Sequence, residues 1–193
     1  MKPISADELR PITEYESLRR GLRRDVIRLK QDRRFAMGGL MSLVFENRDT
    51  VLFQIQEMIR VEQIEQPEAV QHEVDTYNEL IPGAHELSAT MFIEVTETEQ
   101  ARDVLDFFVG LPQSGISLGI GSAEIRAVFD LDQSSDTRVS AVQYLRFPLG
   151  EALARQFCDT AQPVWLAIDH HGYTHRVAIE GAARASLMED LRA

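Results

Sequence analysis

A single cysteine, Cys158, in 193 residues excludes an intramolecular disulfide and any multi-cysteine zinc or iron–sulfur site built from this chain alone. Cys158 closes an apolar helical pattern with Leu153 and Phe157, which makes it a small buried hydrophobe rather than an acidified thiol. Long apolar runs are equally scarce. No stretch approaches the ~20 residues of a membrane-spanning helix, and the amino terminus has no apolar signal region. The expected compartment is the cytoplasm, with no membrane contact. Lysine is nearly missing: Lys2 and Lys30 are the two lysines among twenty basic residues. Forked pairing by arginine and GC-rich codon usage explain that bias equally well.

The catalytic signatures are missing too. Gly115-Ile-Ser-Leu-Gly119-Ile-Gly121 has glycines but neither the following helix start nor the Lys-Ser/Thr of a phosphate loop, so it reads as a glycine-interrupted strand. There is no nucleophile elbow, no two-histidine zinc helix and no calcium-loop spacing. No cofactor is evident.

What the chain does have is an ordinary globular composition, 44% hydrophobic, and a divided charge. The formal net charge is −11, but residues 1–35 carry ten Lys+Arg against six Asp+Glu, a net of +4, which leaves −15 on the remainder. Such a body repels nucleic acid and anionic membrane. The length fits one domain over residues 1–193, helix-rich over 1–83 and sheet-rich over 84–193.

Thr13 with Glu16 predicts a capping box ahead of a long helix whose apolar stripe is Tyr15, Leu18, Leu22, Val26 and Leu29. Phe35–Met37 and Leu40–Phe45 read as strands around a Gly38-Gly39 turn, and Asn47 or Asp49 caps a helix running to about Ile64. Pro67 opens another helix, ended by Pro82-Gly83. Leu87 to Val95 alternates as a strand, and Thr98 opens a short helix. Strands are expected at 116–120, 123–130 and 139–147, the last two split by a polar loop, Asp132 to Thr137. A helix over 150–158, a hairpin from Val164 to Ile179 and a terminal helix from Ala182 to Leu191 complete the chain. Connections in the second half are too short for parallel crossovers. The fold class is therefore α+β: a mostly antiparallel sheet with packed helices and a helical N-terminal part.

Three places carry candidate chemistry. The first is the helix start at Asn47 and Arg48, where free backbone N–H groups and a forked donor favour an anion, with Gln54 and Glu57 following on one side of the helix. Capping and ordinary ion pairs account for the same residues. The second is the terminal hairpin. A two-residue His171-Gly172 turn pairs 170 with 173 and 168 with 175, making His170 and His175 diagonal neighbours beside Tyr173, a weak candidate metal pair or a polar rim. The third is Arg20, Arg24 and Arg28, at i, i+4 and i+8 on the first helix, a stripe for docking a partner or a solvated face. Glu68, His72 and Asp75 form a further helical row that reads as solvated surface.

Phe45-Glu-Asn-Arg48, Thr50, Gln54-Ile-Gln-Glu-Met58 and Glu73-Val-Asp-Thr-Tyr-Asn78-Glu-Leu-Ile-Pro82 form the most specific blocks of the chain. With Ala89-Thr-Met91, Tyr144-Leu-Arg-Phe147 and Ile168-Asp-His170, they resemble a bacterial domain-of-unknown-function family, DUF3501, along nearly the whole length. The family has no assigned reaction, so the resemblance carries over no catalytic residue. It implies a context: an accessory role beside rubrerythrin and an iron–sulfur oxidoreductase, in peroxide handling or electron transfer, acting by protein–protein docking. The alternative is a small-ligand or metal-binding enzyme that uses the 47–62 segment and the 170–175 hairpin.

Overall fold

Alternation from Leu87 to Ile93 puts Leu87, Ala89, Met91 and Ile93 on one side of a strand and Ser88 and Thr90 on the other, yet both sides are buried. The reason is a layer on each face. A computed structural model describes residues 1–95, 101–113, 115–130, 134–135 and 138–192. The helix start expected at Thr98 and most of the loop expected over 132–137 lie outside those residues.

In chain order, α1 (Ile12–Gln31) leads into β1 (Arg34–Ala36) and β2 (Met41–Glu46), followed by α2 (Arg48–Val61) and α3 (Pro67–Asn78). Next come β3 (Glu86–Ile93), α4 (Ala101–Phe107), β4 (Ile116–Ile120), β5 (Ala123–Arg126) and β6 (Val128–Phe129). A small ribbon, β7 (Ser134–Ser135) and β8 (Arg138–Val139), precedes β9 (Val142–Pro148), α5 (Gly150–Cys158), β10 (Val164–His170), β11 (Tyr173–Ala178) and α6 (Gly181–Arg192). The fold is α+β with a helical N-terminal part, and every described strand pairing is antiparallel. No described helix is long and apolar enough to cross a membrane.

Apart from the ribbon, the strands form two sheets rather than one, ordered β1-β2-β3-β9-β6 and β11-β10-β4-β5. The strand expected over 123–130 bends at Ala127, passing from the four-stranded sheet to the five-stranded one, a corner that serves both. The sheets share one core: Phe45, Leu87 and Phe147 meet Leu118, Leu166 and Ile168, closed by Phe108, Phe157 and Leu187. A second core lies on the other face of the larger sheet, where Val51, Ile55 and Ile59 of α2 pack with Val74 of α3, Ile4, Leu80 and Ile81. All six residues of β2, caught between the two cores, are buried.

Local chemistry sets the element ends. Asn47 accepts a hydrogen bond from Thr50 N at 3.0 Å while Thr50 Oγ1 accepts one from Asn47 N at 2.9 Å, so two free donors of α2 are satisfied reciprocally. Pro67 stands at the first position of α3. The box expected from Thr13 and Glu16 does not form. Helix α1 starts two residues earlier behind Pro11, whose carbonyl accepts from Tyr15 N at 2.9 Å. The His171-Gly172 turn has positive φ at both residues, 48° and 85°, matching the twist of a two-residue hairpin, and pairs His170 with Tyr173 and Ile168 with His175.

Two arginines tie α6 down. Arg184 donates to the carbonyls of Phe157, Asp159 and Gln162, at and beyond the C-terminal end of α5, where the helix dipole favours a cation. Arg33, wholly buried, donates to Phe45 O (2.8 Å), Glu46 O (3.1 Å) and Ser186 Oγ (3.0 Å), and forms an ion pair with Asp190. Burial pushes the Asp190 carboxyl up, opposed by Arg33 and by a hydrogen bond from Asn47. Replacing Arg33 with Met strands a buried carboxylate. The expected loss is about 3–5 kcal/mol in urea unfolding, most of it recovered in Arg33→Met/Asp190→Leu. Equal stability of Arg33→Met and wild type would refute this account of the pair.

Candidate functional site

Chain order brings Asn47, Arg48, Gln54 and Glu57 onto one helix, but their side chains part company. Asn47 caps α2 and reaches Asp190. Arg48 turns to the amino-terminal segment, donating to Lys2 O at 3.1 Å and pairing with Glu8, whose carboxyl it holds at about 2. Gln54 turns inward to Glu46, which is 2% exposed at the end of β2 and also accepts from Thr90 Oγ1 at 2.8 Å, with Lys30 Nζ 3.6 Å away. Glu57 takes a forked pair from Arg19, 2.8 Å on each oxygen, together with the Tyr15 hydroxyl and Arg60. Gln54 and Glu57 border one cleft with Met58, Val61 and Tyr77, and Arg48 is not part of it.

Two further side chains, Gln56 within the expected 47–62 segment and Asn78 outside it, make a clamp. Gln56, nearly buried, donates to Arg10 O and accepts from Arg10 N, both at 2.9 Å. Asn78 does the same to Ile4 at 2.8 Å in each direction. Both hold the backbone of an extended segment, and no local pattern marks a glutamine or asparagine for that work. Apart from the exposed Asp49, the polar side chains of α2 are thus engaged by the chain itself.

The hairpin histidines keep the expected diagonal register but take different partners. His170 is 5% exposed, stacks on Phe108 and sits with Nε2 3.0 Å from Phe107 O, a contact that requires a proton on Nε2. Burial pushes its pKa down, keeping the ring neutral. His175 lies instead against Tyr173, ring centroids 4.5 Å apart. The Tyr173 hydroxyl donates to Met37 O and accepts from Leu40 N at 3.1 Å, hooking β11 onto the β1–β2 loop. Gly38 makes that closure feasible: its φ is +80°, and a Cβ there would come within 2.3 Å of His175 Nε2. Among the described residues no three His, Cys, Asp or Glu side chains are placed to hold a metal. The partners of the hairpin rings come from α4 and the loops, not from α2, so the two clusters form no common cleft.

The remaining chemistry is on α1. Of its twenty residues only Tyr15 is buried. Arg20, Arg24 and Arg28 are exposed; Arg24 touches Asp25 at 3.2 Å, while Arg20, Arg23 and Arg28 form no ion pair among the described residues. Among Arg20, Arg23 and Arg24 lies Ile27, 45% exposed and bordering a shallow depression that they line. Val61, 58% exposed on α2, continues the apolar surface across the neighbouring cleft. Arg23 and Ile27 were not among the expected site residues. The available signal was Ile27 itself, an apolar residue off the stripe of Leu18, Leu22, Val26 and Leu29.

Glu57 gives the helical layer an acid-sensitive joint. The forked pair from Arg19, with Tyr15 and Arg60, holds its carboxyl at about 2 against the opposing effect of burial. A carboxyl depressed in the folded state stabilises above its unfolded value near ~4.3, and that contribution is lost as pH falls toward 2. Glu57→Gln is expected to cost roughly 1–2 kcal/mol at neutral pH, discounted for partial exposure, with the gap from wild type closing through this acid range. Chemical unfolding across pH checks it, and a pH-independent gap contradicts it.

Over residues 3–191 the chain matches the family model described as a protein of unknown function, DUF3501. It is also similar to a crystal structure described as a novel protein of unknown function from Burkholderia pseudomallei K96243. Identity is 31% and the TM-score 0.90, over 98% of this chain and 100% of that one. No curated protein matches. With almost every residue inside the family model and the whole fold shared with that relative, the chain belongs to the DUF3501 family.

Proposed function

We propose that the protein is a non-catalytic docking partner whose α1 ridge binds an acidic protein surface. The observation that carries this is Ile27, an exposed apolar anchor among Arg20, Arg23 and Arg24, of which Arg20 and Arg23 have no ion pair. Protein interfaces concentrate their energy in such an arrangement: an apolar or arginine anchor seated centrally, within a polar rim that steers the encounter. The inward-facing chemistry supports the same reading. Glu46, Gln56, Glu57 and Asp190 each satisfy groups of the chain itself rather than converging on a substrate-sized cleft.

The resemblance to a family set beside rubrerythrin and an iron–sulfur oxidoreductase names the partners to try first. In that role the chain supplies the contact surface and its partners supply the redox centres. Binding of the full chain to each purified partner is expected at low ionic strength and should weaken as salt screens the arginines. Arg20→Glu/Arg24→Glu and, separately, Ile27→Asp should each weaken it about tenfold or more. Absence of binding at low salt, or binding indifferent to all three changes, would sink the proposal.

A further inference from the structure

The smaller sheet turns Leu118, Leu166 and Ile168 toward the shared core and its other face outward, away from the helical layer. Cross-strand pairing sets two rows on that outer face. One runs Arg176, Ala167, Ser117 and Arg126 across β11, β10, β4 and β5; the next runs Ala178, Trp165, Gly119 and Glu124. The face is open, with Asp169, Thr174, Arg176, Glu124 and Arg126 all exposed.

A glycine inside a central strand weakens it unless another group approaches closely there. At Gly119 that group is the indole of Trp165, the only tryptophan in the chain. A Cβ at Gly119 would collide with Trp165 Cε2, Cζ2 and Nε1, so the ring lies across β4. The Arg176 guanidinium sits over the ring, 3.7 Å from its centroid. That stack holds a flexible side chain over the middle of the sheet and lowers the ordering cost of binding through it.

Around this guanidinium, donors lack acceptors. Arg126 and Arg176 form no ion pair among the described residues. Ser117 is 8% exposed, yet its hydroxyl has no hydrogen-bond partner among them, and neither has Trp165 Nε1. Each of the four strands thus brings one unmatched donor group to the same patch. Ser117 and Gly119 stand ~6.6 Å apart along β4, a gap that two hydrogen bonds of ~2.8 Å to one oxyanion cover. Glu124 and Asp169 flank the rows without pairing to either arginine, which keeps the patch near neutral and disfavours a polyanion.

We infer that this patch binds a single phosphoryl group, as the free ion or a small phosphomonoester. Donors arriving from four strands surround a tetrahedral oxyanion better than a flat carboxylate, and arginine forks match its oxygens. The site lies on the sheet and does not depend on the docking proposed for α1.

Trp165 emission and titration calorimetry on the full chain, at constant ionic strength, test it. Inorganic phosphate and glycerol phosphate are expected to bind saturably with Kd below ~1 mM, and the tighter of the two distinguishes free ion from ester. Arg126→Gln, which leaves the Trp165 stack in place, and Ser117→Ala should each weaken binding about tenfold, with circular dichroism unchanged. No saturable signal in either measurement up to ~10 mM would overturn the inference. So would an equal response to acetate or chloride, or an affinity untouched by Arg126→Gln.

Discussion

A buried guanidinium is costly unless its charge and its donors are all answered, and the Arg33 site answers them from two elements. The backbone of β2 supplies two carbonyls, α6 supplies Asp190 and Ser186, and Arg33 itself sits where α1 hands over to β1. The end of β2 is therefore fixed in the same act that docks the last helix. Asn47, the next residue along, caps α2 and reaches Asp190, so the start of the helical layer inherits its position from the same charge pair. Hydrophobic burial supplies the bulk of the stabilisation, but it is non-directional. Arg33 is what sets how the layers meet at this corner.

The larger sheet sits between two apolar layers, and its polar side chains have to be satisfied inside. Ser88 donates to Leu80 O, Thr90 donates to Glu46, and Glu46 draws Gln54 and Lys30 toward it. This internal satisfaction leaves α2 with little free functional chemistry beyond the exposed Asp49. A buried carboxylate with several donors looks, in sequence, like a binding residue, but here it acts as a joint between sheet and helix. Unsatisfied chemistry is pushed outward to α1, the one long helix that rests on its neighbours along a single flank.

How much of this was readable in the chain follows from the range of each signal. Asn47 with Thr50, Pro67 and the His171-Gly172 turn are decided within a few residues, and the hairpin register follows from the turn. Alternation identified Leu87 to Val95 as a strand, which ends at Ile93, but period two says nothing of whether the second face meets water or another layer. Arg10 and Gln56 are 46 residues apart, Ile4 and Asn78 are 74 apart, and Arg33 and Asp190 are 157 apart. No local pattern couples positions at such separations. His170 and His175 illustrate the same limit: their register was set by the turn, while their partners, Phe107 and Phe108 for one and Tyr173 and Gly38 for the other, depended on how the hairpin tip closed.

By itself, then, the sequence determined the types of element, the hairpin turn and the cap of α2, though not that of α1, the antiparallel α+β class and the contrast between a basic first helix and an acidic remainder. Each of these follows from propensity, period or charge count, which are local or additive properties. The tertiary structure decided that the strands divide at Ala127 into two sheets, that both faces of the larger sheet are covered, and that Arg19 is consumed by Glu57 while Arg20 and Arg23 stay unpaired. Those outcomes turn on which side chains meet across the fold. Neighbouring arginines on one helix, alike in sequence, become a structural pin and a free ridge according to the direction each one faces.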